Sequence, residues 1–380
     1  MKKRLLIATD SFLPRWDGIA RFLNEIIPKL SDDYDITVIA PGFKGKLKDF
    51  KNINIIRIPL SRIHVGDYTP AKFSIRKIIK AVKQADIVWT QTIGPIGMPA
   101  ILTARFFRKP LVAYIHSLEW ELFSKSISQK NLFRNSISFF TKAAARYLYN
   151  KCNILMVPSL EVSEILNWHN IRTKKRVVHL GTDTFKFRPA EDKKAAKKKI
   201  GINPKNTVIG FSGRIGREKD IVTLYRAFLR LRKSYDNLIL LVIGKGVQEL
   251  KLMLESKKDI IVVESADNIV PYLQAMDIYV MPSLTETSSL STMEAMSCGI
   301  AVVSTPVGYI KGYIKDGYNG FFFGKQNSYE LSKKLSVLLD NKELRIKLGE
   351  NARKTIIAFY NWDKTTRGIK DALEEFISSG

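Results

Sequence analysis

Short β-branched runs alternate with longer amphipathic segments along the chain, and that alternation predicts βαβ units and parallel sheets. In the first half the predicted strands are Arg4 to Thr9, Ile36 to Ala40, Ile53 to Ile58, Ile87 to Trp89, Leu111 to His116 and Ile154 to Val157. In the second half they are Val208 to Ser212, Leu238 to Ile243, Ile260 to Val263, Ile278 to Met281 and Ala301 to Ser304. Several are apolar throughout, as strands covered by helices on both faces are. The pattern restarts near Val208. The expected fold class is therefore α/β, with two doubly wound, Rossmann-like parallel-sheet domains. A length of 380 residues agrees, being too long for one typical core. Between the halves, Lys186 to Lys199 carries seven basic and two acidic residues and reads as a solvated linker with a surface helix. Trp362 to Ser378 reads as a final amphipathic helix.

Charge changes the picture more than composition does. Sixty-two Lys and Arg against 36 Asp and Glu give a net charge of +26. That excess favours anionic partners: nucleic acid, an anionic membrane surface or phosphorylated substrates. Cys152 and Cys298 are the two cysteines, far apart, which argues against a disulfide framework or a thiolate metal cluster. The opening Met1-Lys2-Lys3-Arg4 resembles a signal peptide, but the apolar run after it stops at Asp10, so an opening strand is expected. No run of about eighteen apolar residues predicts a membrane span. Met98 to Ile115 comes nearest and is interrupted by Arg105, Arg108 and Lys109.

The densest chemical signal runs from Pro282 to Gly299. It follows the apolar strand Ile278 to Met281, so Pro282 to Ser289 is the turn at that strand's C-terminal edge, where open α/β sheets bind ligands. Leu290 to Met296 reads as a helix closed by Gly299. Thr287, Ser288, Ser289 and Leu290 then lie at a helix N-terminus, whose free N–H groups and dipole suit a diphosphate. Glu286 stands in the turn and Glu294 two turns into the helix, placed to accept vicinal hydroxyls such as those of a ribose. Asp33-Tyr34-Asp35 has the Asp-x-Asp form used by metal-dependent transferases of another fold, but it precedes the second strand and reads as a solvated turn.

Pro-Ser, then Glu, seven residues, Glu-Ala-Met and a small-residue stop resembles the glutamate motif of retaining glycosyltransferases of family four, among them glycolipid and polysaccharide transferases. The resemblance covers nearly the whole chain and is strongest from Val208 to Tyr318. It implies the GT-B fold, with two domains facing an interdomain cleft: an acceptor domain over 1–187, a nucleotide-sugar domain over 188–360, and a helix over 361–380 packing back on the first. It gives Glu286 the donor-sugar hydroxyls and Glu294 the ribose. Phe211 to Lys219 is similar to a second family motif, in which Gly213 turns the chain and Arg214 and Lys219 hold the leaving diphosphate, with Arg217 a lesser helper. Gly244 and Gly246 resemble the family's Gly-x-Gly turn near the nucleotide, and Asp277 its structural acidic position. Val112 to His116 resembles the histidine-bearing strand end, putting His116 beside the reacting sugar and Glu119 toward the acceptor. Asp10 to Arg21 resembles the glycine-rich loop, with Asp17-Gly18 in place of the usual paired glycines. Gly18 is carried over as a donor contact and Asp17 as an acceptor contact.

The resemblance also implies retention of anomeric configuration and no metal, with UDP-sugar favoured over GDP-sugar. The expected partners are a nucleotide sugar and a lipid or glycan acceptor, with no nucleic acid, and the expected place is the cytoplasm with peripheral contact at the inner face of the cell membrane. From Leu122 to Lys151 there are six basic residues and no acidic one, and Phe133, Ile137, Phe140, Ala144 and Tyr147 recur at helical spacing. Periodicity leaves two readings open: a helix packed on its own domain with a wet basic face, or a segment docking on anionic lipid. A nucleotide-sugar epimerase of the same fold and a basic nucleic-acid-binding protein are the rival functions, the second lacking a recognised motif. A dinucleotide-dependent dehydrogenase is disfavoured, because no Gly-x-Gly-x-x-Gly follows Arg4 to Thr9 or Leu238 to Ile243.

Overall fold

The computed structural model describes residues 2–15, 17–45, 50, 52–62, 69–120, 131–264, 266 and 268–376, with side chains of 131–135 and 137 left out. Trp16, His64, the stretch 122–130, the side chains of Phe133 and Ile137, and the end of the last helix at 377–378 lie outside the described residues.

Contacts divide the chain into two units, 1–179 with 362–380, and 180–361. The first unit holds seven parallel strands: β1 (Lys3–Ala8), β2 (Tyr34–Pro41), β3 (Ile53–Ile58), β4 (Ile87–Thr90), β5 (Leu111–Tyr114), β6 (Ile154–Val157) and β7 (Lys174–Val177). Their spatial order is β3-β2-β1-β4-β5-β6-β7. The second unit holds β8 (Thr207–Ser212), β9 (Leu238–Ile243), β10 (Ile260–Val263), β11 (Ile278–Met281), β12 (Ala301–Ser304) and β13 (Phe321–Phe322), in the order β10-β9-β8-β11-β12-β13. Both sheets are doubly wound and Rossmann-like. β4, β5, β6, β11 and β12 are buried at every position, which is why these runs carry no polar alternation. Each fully buried Val, Leu or Ile side chain contributes roughly 1.5–3 kcal/mol, so strand and helix order is set by coverage of these two faces.

The topology fixes where ligands can sit. In each sheet the strand order reverses beside the first strand, between β1 and β4 and between β8 and β11. Loops leaving those strands diverge there, opening a crevice at the carboxyl edge. The segments after β8 and β11 are the two motifs singled out above.

Three expectations are corrected. The unit boundary falls at Leu180, not after Phe187. Phe187 is 5% exposed in the second core, and its carbonyl accepts the Ser297 hydroxyl at 2.6 Å. The basic stretch before β8 is not simply solvated. Lys197 is buried, its ammonium 2.7 Å from both the Asp277 carboxylate and Asn206 O, while Lys193 reaches Gln274 O and Met276 O. These lysines tie the helix Lys193–Lys199 to strand ends. Asp33-Tyr34-Asp35 is only partly a turn: Asp33 ends the turn and pairs with Lys370, while Tyr34 and Asp35 begin β2.

The terminal helix Trp362–Glu374 belongs to the first unit. Trp362 packs edge-on to Phe22 with ring centroids 6.1 Å apart, Thr365 donates to His179 O at 2.8 Å, and Lys29 pairs with Asp363 at 2.7 Å. No helix among the described residues is long and apolar enough to cross a membrane.

Candidate functional site

In the second unit the site is built around the switch point between β8 and β11. After β11 the chain turns through Ser283 to Ser289 into the helix Leu290–Ser297. Glu286 is nearly buried, its side chain 9% exposed; its Oε1 accepts from Lys219 Nζ and from Ser283 Oγ, the latter at 2.7 Å. The two loops also share a backbone bond, Leu284 N–H to Glu218 O at 2.8 Å. The structure thus brings together two candidates 67 residues apart in sequence. Arg214 does not join them: it pairs with Glu218 at 2.7 Å and is half-exposed.

Ser289 adopts a left-handed conformation (φ 51°) at the start of the helix, and no side chain caps that end. The first-turn N–H groups therefore keep their capacity to bind an anion. Ser288 is 2% exposed, and its hydroxyl has no hydrogen-bond partner among the described residues. Glu294 is 3% exposed on the same helix, where a carboxylate is costly unless its charge is used.

The two glycines of the Gly-x-Gly turn have a steric reason. A Cβ on Gly244 (φ 150°) would lie 1.8 Å from Gly213 O, and one on Gly246 would lie 2.0 Å from Ile215 O. Close backbone pairing of these loops, with Ile215 N–H on Lys245 O and Val247 N–H on Ile215 O, both 2.8 Å, excludes any side chain. They shape the Arg214 loop from behind.

Sequence reasoning missed a brace on the Glu286 loop. A Cβ on Gly308 (φ 53°) would meet Glu286 O at 1.9 Å, Tyr309 N–H donates to Thr287 O at 2.8 Å, and the buried Tyr313 hydroxyl donates to Ser288 O at 2.9 Å. The one available signal was Gly308 soon after a strand.

In the first unit, His116 follows β5 and packs against both Phe22 and Tyr114, with ring centroids 4.9 and 4.6 Å away. Burial lowers its pKa to about 3, so the imidazole is neutral at cellular pH. Asp17, expected at the acceptor, is partly exposed and has local partners of its own. Its Oδ1 caps the helix Gly18–Leu30 through Ile19 and Ala20 N–H, both 3.0 Å, and its Oδ2 takes Ser11 and Arg15. A Cβ on Gly18 would meet nothing within 4 Å, so no crowding there demands glycine. Asp10, unassigned from sequence, is buried and occupies the N-terminus of the helix Gly97–Phe106. It accepts from Ile96 N–H at 2.8 Å and Gly97 N–H at 3.1 Å.

Glu119 is turned inward rather than toward an acceptor: it is 8% exposed and accepts from the Tyr149 hydroxyl. Burial pushes its carboxyl up to about 7. A folded value above the unfolded one means that its contribution to stability is complete in acid and is lost as pH rises through about 7. Glu119→Gln keeps an acceptor for Tyr149 and cannot ionise. Its stability relative to the parent should rise between about pH 5 and pH 8, by an amount on the order of 3 kcal/mol. Urea unfolding at several pH values checks this, and a flat difference contradicts it.

In the basic helix Asn131–Tyr149, Ala145, Leu148 and Tyr149 face the core. Of the described stripe residues, Phe140 and Tyr147 are 70% and 59% exposed and Ala144 is exposed, with Phe139 beside them. These described residues of the stripe thus point to solvent, alongside the exposed Arg146 and the partly buried Lys142.

Residues 16–186 match the model of Glycosyltransferase Family 4, and residues 192–355 match that of Glycosyl transferases group 1. An uncharacterised glycosyltransferase of Methanocaldococcus jannaschii is 26% identical over 99% of this chain and 100% of its own length. The alpha-monoglucosyldiacylglycerol synthase of Streptococcus pneumoniae is 24% identical over 85% of this chain and 76% of its own. Among solved structures, Anabaena HepE in complex with UDP and glucose superposes with a TM-score of 0.80 at 16% identity, covering 98% of this chain and 99% of that one.

Proposed function

This chain belongs to the family-four glycosyltransferases of GT-B fold, and we propose that it moves a hexose from a nucleoside-diphosphate sugar, UDP-linked in preference to GDP-linked, to a lipid or lipid-linked glycan. The reading includes retention of anomeric configuration and charge neutralisation by Arg214 and Lys219 without a metal. The observation that carries it is the Lys219–Glu286 pair beside the uncapped helix Leu290–Ser297, at the switch point of the second sheet.

In this reading the diphosphate lies at the helix N-terminus, against the Thr287, Ser288, Ser289 and Leu290 backbone. It draws Lys219 away from Glu286, because a diphosphate carries more charge than one carboxylate. Glu286, freed of its cation but still held by Ser283, then accepts donor-sugar hydroxyls, while Glu294 takes the ribose. Arg214 swings from Glu218 to the phosphates, which its exposure permits. As the sugar–phosphate bond breaks, both cations face the charge that builds on the leaving diphosphate. His116, neutral and packed edge-on against Phe22, meets a sugar hydroxyl. The name of the pneumococcal relative supports a lipid acceptor. The exposed aromatic and basic face of the helix Asn131–Tyr149 supports docking on anionic lipid, with aromatics at the acyl boundary and cations among the headgroups.

Incubation of the full chain with radiolabelled UDP-glucose or UDP-galactose and diacylglycerol-bearing vesicles tests this reading. A labelled lipid should form, faster on anionic than on neutral vesicles at low salt, and not with Glu286→Ala. Folded protein that labels no lipid or glycan from any nucleotide sugar would overturn it. A nucleotide sugar epimerised without acceptor would replace transfer by epimerisation.

A further inference from the structure

Gln91 directly follows β4, and its side chain is 1% exposed. Its backbone N–H donates to Ala8 O at 2.9 Å, so the residue is pinned at the edge of the sheet. β4 pairs with β5, with Thr90 opposite Ala113, which sets the residue after β4 beside the chain leaving β5. There the Gln91 amide oxygen lies 2.8 Å from His116 Nε2. The Gln91 amide nitrogen is buried and has no hydrogen-bond partner among the described residues.

Elementary hydrogen-bond chemistry turns this contact into an assignment. A neutral imidazole carries one N–H, and an amide oxygen can only accept. A hydrogen bond between His116 Nε2 and that oxygen therefore needs the proton on Nε2, and Nδ1 is left as a bare acceptor. Phe22 and Tyr114, in contact with each other, both pack against the ring and restrict its motion from that flank. We infer that Gln91 is a positioning residue, fixing the Nε2–H tautomer and the orientation of His116 so that Nδ1 accepts a hydroxyl proton from the bound sugar.

The sense of that bond matters to the chemistry. A sugar hydroxyl that donates to Nδ1 becomes richer in electrons, which favours the positive charge developing on the sugar as its bond to phosphate breaks. A histidine in the other tautomer would donate to the same hydroxyl and oppose that charge. The effect belongs to the transition state, so it is expected in kcat more than in KM. Burial keeps the imidazole neutral, which is the condition for one nitrogen to accept. The inference rests on the proposal that His116 meets a sugar, but the tautomer itself does not.

The chain has four histidines, so nitrogen NMR of the full-length protein can be assigned by single His→Gln substitutions. His116 should show a protonated Nε2 and a bare Nδ1, without titrating between about pH 5 and pH 8. Gln91→Met, similar in length but without the acceptor, should lose the fixed tautomer and lower kcat about tenfold or more, with KM for the nucleotide sugar little changed. Gln91→Glu, which keeps an oxygen acceptor, should restore the Nε2–H signal and most of kcat. A protonated Nδ1 in the parent overturns the inference, as does a Gln91→Met protein that retains both tautomer and kcat. If Gln91→Met does not fold, the parent and Gln91→Glu spectra still decide. A parent that transfers no sugar defeats the proposed function, while the spectra continue to report on Gln91.

Discussion

Lys219→Met is expected to lower sugar transfer about 10²–10³-fold, the usual size for loss of one group placed where transition-state charge develops. Two consequences should separate. The diphosphate loses a cation, so donor affinity falls along with kcat. Glu286, 9% exposed, also loses its ionic partner and keeps only Ser283. Removing one member of a buried pair costs about 3–5 kcal/mol, and here the cost should be smaller because Lys219 is 19% exposed. The double variant Lys219→Met/Glu286→Gln removes the stranded charge as well. It should regain most of the lost stability and none of the activity. Urea unfolding and steady-state kinetics on the two proteins read these effects, and transfer by Lys219→Met within about threefold of the parent would contradict the role given to Lys219.

Gly244→Ala should have the largest effect on folding of any single-methyl change at the site. The new Cβ would lie 1.8 Å from Gly213 O, and φ of 150° is itself unfavourable for alanine. Neither group is the end of a flexible side chain, so the loops after β8 and β9 must separate. That breaks the backbone pairing of Ile215 with Lys245 and Val247. A loss on the order of 3–5 kcal/mol is expected, with loss of nucleotide binding because Arg214 leaves its place. Gly18→Ala is the contrasting change: nothing lies within 4 Å of its Cβ, and the effect should stay within about 0.5 kcal/mol. Thermal denaturation of the two variants decides, and equal melting temperatures would contradict the steric account.

Both sheets were legible in the sequence because a strand covered on two faces must be apolar throughout, and such runs stand out between polar helices. β7 escaped because its residues are Lys174, Lys175, Arg176 and Val177, an edge strand whose Lys174 and Arg176 pair with Glu375 and whose Lys175 donates to Ile171 O and Thr173 O. β13, two residues long, is too short to carry a period. The periodicity of the basic helix was also legible, but not the direction of its stripe: a helical repeat marks a face and does not say what covers it.

The candidate site was legible where one stretch of chain carries strand, turn and helix start together, as around Glu286 and Glu294. It was illegible where the partner comes from far away. Gln91 meets His116 because β4 and β5 are neighbours, and Gly308 and Tyr313 meet the Glu286 loop because β12 lies beside β11. Asp17 and Glu119 had residue types suited to an acceptor, and the sequence did not show their local partners: Asp17 caps a helix and the buried Glu119 accepts from Tyr149.

The central claim is that the second unit binds a nucleoside diphosphate through the loops after β8 and β11. The direct test is the melting temperature of the purified chain against increasing UDP, GDP and their common sugar conjugates, with NAD as control. A ligand that binds only the folded state raises that temperature by an amount that grows with concentration over affinity. The account predicts a saturable rise with a uridine nucleotide, abolished in Glu294→Ala and strongly reduced in Arg214→Ala, with none for NAD. No rise with any nucleoside diphosphate, from folded protein, would contradict it.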